Sequence, residues 1–344
     1  MSLYLHGVGH FHPETVIDNA FLEALDIGTT EAWIMERVGI RTRRTVLSLD
    51  YIRQTKNSDP RAAPEACSYD HAELGARAAR LALQRAGLTP ADIGMTLAGG
   101  TAPSFVCPAE ACAIAAKLEI DAPALDVVSA CTSFFAPLHL LSMMDPARMP
   151  RFVLIVVPET VTCTVDYRDR GTAVIWGDGA AAAVVSASVP SRAELLGSTL
   201  GSNPRAFDKV VVPRQGFFRQ DGPSVQKFAV KTMSSMLRQL QGAYREPGRS
   251  ITFIGHQANQ RMLESVCRAC DIAPHRHHHN VAEFGNTGAA GAASVLSTRW
   301  DSYGPEHDVA MAGVGAGLTW SSCLIRFRAA AARLEDAHAS AFVR

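Results

Sequence analysis

The alternation of apolar and polar segments divides the chain into short buried strands and amphipathic helices. His71–Ala86 reads as a helix, stopped by Gly87 with Pro90 just beyond. A short apolar strand follows at Ile93–Ala98 and another at Ala124–Val128. A small-and-apolar segment then runs from Ala130 to Met144, a buried strand covers Phe152–Val157, and Gly177-Asp178-Gly179 opens a further apolar run. The second half repeats this order. A helix over Gln226–Tyr244 leads to a strand at Ser250–Ile254, and Gly285-Asn286-Thr287-Gly288 opens an Ala-rich helix to Ser297. A strand at Val309–Ala312, the run Gly313-Val314-Gly315-Ala316-Gly317 and a final strand, Leu318–Phe327, complete it.

Placing Cys131 over Asn286 aligns Ser142 with Ser297, since both lie eleven positions further on (142 − 131 and 297 − 286). Thirty positions back from each stand Thr101 and His256, each just past its strand. Such matched spacings argue for an internal repeat of βα units. Apolar strands alternating with helices imply a layered α/β architecture with mainly parallel, buried sheets. The division predicted is residues 1–186, carrying Cys131, and residues 187–344, carrying His256 and Asn286. Two segments fall outside the repeat. Leu47–Ala66, with Lys56-Asn57-Ser58-Asp59-Pro60, reads as a long polar loop or insertion, and Arg328–Arg344 as an exposed helix or a frayed end.

Composition narrows the function classes. The 344 residues, 47% hydrophobic and 19% charged, fit two domains or two halves of one unit. A formal net charge of +0 gives no overall footprint for nucleic acid or an anionic membrane, so an acidic partner must meet a local patch. The most apolar runs are too short to span a bilayer, and Met1–His10 lacks the basic and apolar regions of a signal peptide. Eight Cys in so core-rich a chain do not read as a disulfide framework, which points to a reducing cytoplasm.

Three residues are candidates for chemistry. Cys131 follows a buried strand and precedes a helix, so its thiol is expected at or near a helix N-terminus, where the dipole favours thiolate; the plainer reading is an inert core cysteine. His256 directly follows an apolar strand, where α/β folds display catalytic side chains. Asn286 lies between Gly285 and Thr287-Gly288 and suits an N-cap or a left-handed turn equally well. The repeat sets Asn286 and Cys131 at equivalent points of two helices, and pairing those helices about a pseudo-twofold axis brings Cys131, His256 and Asn286 together. Gly313–Gly317 lacks the following βαβ unit of a dinucleotide site and fits a backbone that approaches a substrate. Cys267-Arg268-Ala269-Cys270 with His275 and His277–His279 matches a zinc pattern, but Met262, Leu263, Val266, Cys267 and Cys270 keep helical spacing, so no metal is expected.

At these residues the chain resembles the β-ketoacyl-acyl-carrier-protein synthase III family of thiolase-fold condensing enzymes, over nearly its whole length to about Phe327. The resemblance includes Glu31-Ala32-Trp33-Ile34, Arg37-Val38-Gly39-Ile40 and Arg43-Arg44. It continues through Ala130-Cys131, Asp169-Arg170-Gly171-Thr172, Gly177-Asp178-Gly179-Ala180 and Lys227-Phe228-Ala229-Val230. Its most specific pieces are His256-Gln257-Ala258-Asn259-Gln260-Arg261, Phe284-Gly285-Asn286-Thr287 and Gly315-Ala316-Gly317-Leu318-Thr319-Trp320.

The resemblance implies a thiolase fold, duplicated βα halves in a layered α-β-α-β-α sandwich. It implies Cys131 as acyl acceptor, His256 and Asn286 as donors to the extender carbonyl, and the N–H groups of Cys131 and Ala316 as an oxyanion hole. Trp33, Arg37, Arg170, Lys227, Asn259 and Arg261 would line the entrance for coenzyme A or phosphopantetheine, with Arg170 near a dimer interface. The implied reaction is decarboxylative condensation of an acyl primer with a malonyl-type thioester, needing no cofactor beyond the thioester substrates. Implied partners are acyl-CoA, malonyl thioester, acyl carrier protein and a second copy of the chain. The same acyl-Cys chemistry serves the alternatives: joining two acyl chains, cyclising a product, or passing an acyl group to an alcohol or amine. A Cys-His-Asn hydrolase and a non-catalytic scaffold are the readings from other classes.

Departures from the family pattern point to a specialised member. Thr132-Ser133-Phe134-Phe135-Ala136-Pro137 follows the nucleophile, and Pro137 is expected to disturb a hydrogen bond of the central helix. Val314 stands where a bulky aromatic is common, which would open the acyl channel. Arg41, Arg43, Arg44, Lys227, Lys231, Arg261 and Arg268 are candidates for a basic rim facing an acidic carrier, against ordinary surface charge.

Overall fold

The computed structural model describes residues 2–214 and 216–329; all but the first two residues of the expected tail helix lie outside the described residues. Nine strands carry the fold: Leu3–Phe11 (β1), Met95–Ala98 (β2), Ala124–Asp126 (β3), Val153–Glu159 (β4), Gly179–Ser186 (β5), Ala193–Ser202 (β6), Ser250–Gly255 (β7), His307–Gly315 (β8) and Thr319–Phe327 (β9). They join in the order β7-β8-β9-β6-β1-β5-β4-β2-β3. The N-terminal strands read β3-β2-β4-β5-β1 and the C-terminal ones β7-β8-β9-β6. A single parallel bridge from Phe253 to His277 stands beside β7 as β3 stands beside β2. Within the sheet the halves join where Leu3–Leu5 pairs antiparallel with Ala193–Leu195.

The sheet is mixed rather than mainly parallel. Only β2/β3, β2/β4 and β7/β8 run parallel, and the other ladders of the sheet are antiparallel. Helices cover both faces, so an antiparallel strand such as β5 is as buried throughout as β4, which pairs parallel with β2, and the sequence pattern cannot separate the two.

Six helices complete five layers: His71–Ala86 (α1), Glu110–Leu118 (α2), Phe135–Met143 (α3), Gly222–Tyr244 (α4), Gln260–Ala269 (α5) and Ala290–Thr298 (α6). Leu74, Ala78 and Ile114 of α1 and α2 pack on Leu154 and Val184 of the N-terminal strands. Met233, Leu237 and Val266 of α4 and α5 pack on Phe253 and Leu324 of the C-terminal strands. Between the sheets lie α3 and α6, where Phe135, Leu138 and Ala293 meet Ile155 and Val185 from one side and Met311 and Cys323 from the other. Each large apolar side chain buried in these layers contributes about 1.5–3 kcal/mol. The helices start and stop by ordinary means: Asp70 caps α1 by accepting the Glu73 N–H at 2.7 Å, and Gly87 ends it at a φ of 66°.

Leu47–Ala66 is not a solvated loop. Ser48 caps a helix over Leu49–Thr55, a 3-10 turn follows at Ala63–Ala66, and Ile52 and Ala63 are buried. Asn57 is buried too, and its Nδ2 donates to the carbonyls of Cys163 at 3.0 Å and Val165 at 2.8 Å. The anchors are few and separated by polar surface positions, which is why the pattern hid them. Pro137 falls in the first turn of α3, where backbone N–H groups have no intrahelical acceptor, so it breaks no hydrogen bond. Arg43 does not belong to a surface rim. Fully buried, it donates to Asn19 Oδ1 at 2.6 Å and to the Val174 carbonyl, and burial pulls its guanidinium down to about 9. No described helix is long and apolar enough to cross a membrane.

Candidate active site

The ends of strands from both halves converge on one cavity of about 680 Å³, walled in part by Cys131, His256, Asn286 and Ala316. Cys131 reaches it on a 3-10 turn, Ala130–Thr132, whose first residue, Ala130, has a φ of 45°. That left-handed conformation is unfavourable for a residue with a Cβ, by about 1–2 kcal/mol, and it turns the chain sharply to present the thiol. Hydroxyls hold the turn: Thr132 Oγ1 donates to the Ser129 carbonyl at 2.7 Å and lies 3.0 Å from Thr319 Oγ1, which donates to the Ala316 carbonyl at 3.1 Å. The glycine loop is thus tied to the nucleophile turn. A Cβ at Gly315 would stand 3.1 Å from the Cys131 nitrogen and 3.2 Å from that of Thr132, so glycine lets the two backbones come this close without a shift of either.

His256 directly follows β7, its N–H donating to the Ala312 carbonyl at 2.8 Å. Gln257, wholly buried, fixes this strand end to the segment leading to Asn286. Its Oε1 accepts the N–H groups of Asn280 at 3.0 Å and Val281 at 3.2 Å, and its Nε2 donates to the Gly255 carbonyl at 2.6 Å. Asn286 Oδ1 accepts the Gly288 N–H at 3.0 Å, which occupies the acceptor side of the amide and leaves its donors for the cavity.

The thiol is not acidic in this structure, against the expectation from its sequence context. Burial, then the charge of Glu159, push it up to about 12, with the Thr101 hydroxyl pulling the other way. The regular helix begins only at Phe135, so the dipole that was to lower the thiol is displaced from it. Burial pulls the His256 imidazole down to about 4. Around neutral pH both groups are uncharged.

Of the expected entrance residues, Arg37, Lys227 and Asn259 line the cavity, whereas Trp33, Arg170 and Arg261 do not. Arg170 lies over the Trp33 ring of its own chain, 4.8 Å from the centroid, and donates to the Gly28 carbonyl. Arg261 donates to the carbonyls of Met35 and Glu36 and pairs with Glu264. Asn259 also caps α5, accepting the Met262 N–H at 2.8 Å. Val314 lines this same cavity. In the expected basic rim, Arg41 is paired with Glu283 and Arg44 donates to the Glu14 carbonyl, whereas Lys227 and Lys231 stand exposed on α4. Cys267 and Cys270 are buried, and no described cluster of three or more His, Cys, Asp or Glu could hold a metal ion.

Sequence reasoning missed Glu159. It is completely buried at the end of β4 and accepts the Thr101 hydroxyl and the Ala289 N–H, each at 2.8 Å. A charged residue ending an otherwise apolar strand, Val153–Glu159, was the available signal.

A layered sandwich that brings a strand-end cysteine, histidine and asparagine to one cavity defines the thiolase-fold condensing enzymes. The family model for 3-oxoacyl-[acyl-carrier-protein (ACP)] synthase III matches residues 125–204, and that for its C terminal matches residues 248–327. The beta-ketoacyl-[acyl-carrier-protein] synthase III of Natranaerobius thermophilus is 30% identical over 336 residues, 92% of this chain and 96% of that protein. Among solved structures, the 3-oxoacyl-[acyl-carrier-protein] synthase III of Aquifex aeolicus superposes with a TM-score of 0.83 at 26% identity, covering 94% of this chain and all of that one (100%). The priming beta-ketosynthase of the R1128 polyketide biosynthetic pathway gives a TM-score of 0.78 at 26% identity, covering 96% of this chain and 97% of that one. The chain belongs to the β-ketoacyl-acyl-carrier-protein synthase III family and is an acyltransferase of the condensing type.

Proposed function

We propose that this enzyme moves an acyl group from coenzyme A or a carrier protein onto Cys131 and condenses it with a malonyl-type thioester, releasing CO2 and a β-ketoacyl thioester. The observation that carries this reading is the single cavity shared by Cys131, His256, Asn286 and Ala316, with Arg37 and Lys227 also in its wall. In the first step the Cys131 sulfur attacks the primer carbonyl, the N–H groups of Cys131 and Ala316 receive the oxyanion, and the thiol proton leaves with the departing sulfur. In the second, the malonyl carboxylate departs as CO2 and the enolate oxygen accepts hydrogen bonds from His256 and Asn286. The enolate carbon then attacks the acyl-Cys131 carbonyl, and the sulfur recovers a proton. Neither donor needs to carry a charge: the amide cannot ionise, and an imidazole pulled down to about 4 stays neutral. No bound cofactor enters these steps.

The test is malonyl-thioester decarboxylation and β-keto product formation by Cys131→Ala, His256→Ala and Asn286→Ala. Turnover at the wild-type level in all three overturns the reading.

Two partners go with it. An acidic carrier protein would meet Lys227 and Lys231 on the exposed face of α4 beside the cavity. A second copy of the chain would pair along β3, an edge strand with Leu125 exposed on it and Val128 exposed just beyond. Sedimentation equilibrium decides the latter: a monomer at micromolar concentration rejects it.

A further inference from the structure

Cys67 and Cys163 stand 96 positions apart in the chain, yet their sulfurs lie 3.3 Å from each other. Cys67 follows the 3-10 turn that closes the Leu47–Ala66 segment, and its backbone bridges Leu47 at the segment's other end. Cys163 lies on a 3-10 turn, Val161–Thr164, just beyond β4. Both side chains are half-buried and line one cavity of about 700 Å³. The exposed Phe105 and Val106 line it too, so a small solute reaches both sulfurs from the surface.

The two thiols have different hydrogen-bond roles. Cys67 donates to the Ala63 carbonyl at 3.2 Å, which leaves Cys163 as the donor between the two sulfurs. That hydrogen bond, then burial and the charge of Asp178, push the Cys163 thiol up. Cys163 therefore keeps its proton, and Cys67 presents a lone pair. A disulfide bond of about 2.0 Å needs the sulfurs to approach by roughly 1.3 Å more. The backbones are already held together: Asn57 Nδ2 donates to the Cys163 carbonyl, and the Tyr167 N–H donates to the Lys56 carbonyl at 3.0 Å. Closure is thus left to the side chains. Neither thiol lines the cavity of Cys131, His256 and Asn286, so the condensing reaction uses neither.

We propose that Cys67 and Cys163 form a redox-responsive pair, free as thiols at rest and joined as a disulfide by a hydroperoxide. The Cys67 sulfur attacks the peroxide and takes one oxygen as the O–O bond breaks. The other oxygen leaves with the Cys67 proton, as water or an alcohol, and Cys67 becomes a sulfenic acid. The Cys163 sulfur then attacks Cys67, the S–O bond breaks, and water leaves with the Cys163 proton. The two thiols lose two electrons and the peroxide gains them. A dithiol reductant reverses the bond, as suits a transient disulfide in a reducing compartment. Once formed, the bond staples the Leu47–Ala66 segment to the turn after β4 and restricts the unfolded chain.

The test treats the full chain with a small molar excess of hydrogen peroxide, followed by non-reducing peptide mapping by mass spectrometry. Peptides joined through Cys67 and Cys163 appear, and dithiothreitol separates them. The midpoint of thermal unfolding rises by about 3 °C or more on oxidation. Cys67→Ser and Cys163→Ser each lose both the link and the rise, and in Cys163→Ser dimedone traps the sulfenic acid at Cys67. Cys107 and Cys112 are exposed, so Cys107→Ser with Cys112→Ser is the control, and it still forms the link. No link, a link to any other cysteine, or a midpoint unchanged by oxidation overturns the inference. Should a serine variant fail to fold, the map and the midpoint of the wild type decide. The condensing reading stands or falls separately, on acylation of the reduced protein at Cys131.

Discussion

Glu159 and Cys131 are linked through Thr101. The carboxylate accepts the Thr101 hydroxyl at 2.8 Å, that hydroxyl acts on the thiol, and the carboxylate charge raises it. The same Oε1 accepts the Ala289 N–H just before α6. One buried carboxyl therefore braces the nucleophile's surroundings against the helix that follows Asn286, across the two halves of the fold. Burial pushes Glu159 up to about 7, with its N–H and hydroxyl donors pulling the other way.

The raised carboxyl makes a stability prediction with a definite sign. The folded chain binds a proton at Glu159 that the unfolded chain releases from its ordinary value of 4.5, so this contribution is present in full at low pH and is lost as pH rises through about 7. Glu159→Gln removes that dependence. Its cost relative to wild type is therefore largest near pH 5 and smaller by on the order of 2–3 kcal/mol at pH 8. Urea unfolding at the two pH values checks this, and a cost that grows with pH contradicts the assignment.

The neutral thiol makes a second. With Cys131 pushed up to about 12, its reaction with iodoacetamide is slow at pH 7 and rises about tenfold per pH unit through pH 10. A plateau reached below pH 8 shows an acidic thiol instead. Acyl transfer from CoA does not follow that steep profile, because the thiol proton leaves with the departing sulfur.

What was legible in the sequence is the ends of strands. Thr101 and His256, set thirty positions before Cys131 and Asn286, are read off spacing alone, and both stand just beyond equivalent strands, β2 and β7. Strand direction was not legible, because β5, antiparallel to both its neighbours, is as buried and apolar under two covering helix layers as β4, which pairs parallel with β2. Charge states were not legible either. The thiol was expected to be acidic from the helix after it, but burial and Glu159, brought in from 28 residues further along the chain (159 − 131), decide the direction. Arg43 shows the same limit: its neighbour Arg44 is half-buried, and only packing tells which of the two enters the core.

Gly315→Ala tests the oxyanion geometry without touching a reacting group. The added Cβ must move the loop by a few tenths of an ångström to clear the Cys131 and Thr132 nitrogens. Such a shift displaces the Ala316 N–H from the developing oxyanion and lowers acyl transfer on the order of 10–100-fold. Stability falls by about 1–3 kcal/mol, as for a small overpacked contact. Acyl transfer at the wild-type rate shows that the loop donates nothing.

Lys227 and Lys231 lie four positions apart on α4 and therefore share a face, with Lys227 in the cavity wall and Lys231 one turn along. An acidic carrier docking there would gain from both charges, whereas free malonyl-CoA in the cavity would meet chiefly Lys227, which lines its wall. Lys231→Glu should therefore raise KM for a carrier-bound extender about tenfold at low salt while leaving kcat and the KM for malonyl-CoA nearly unchanged. Adding salt to 0.5 M narrows the gap, because the interaction is exposed and screened over about 10 Å or less. Equal effects on both extenders place the carrier elsewhere on the surface, since a defect in the site itself cannot distinguish two molecules that deliver the same malonyl group.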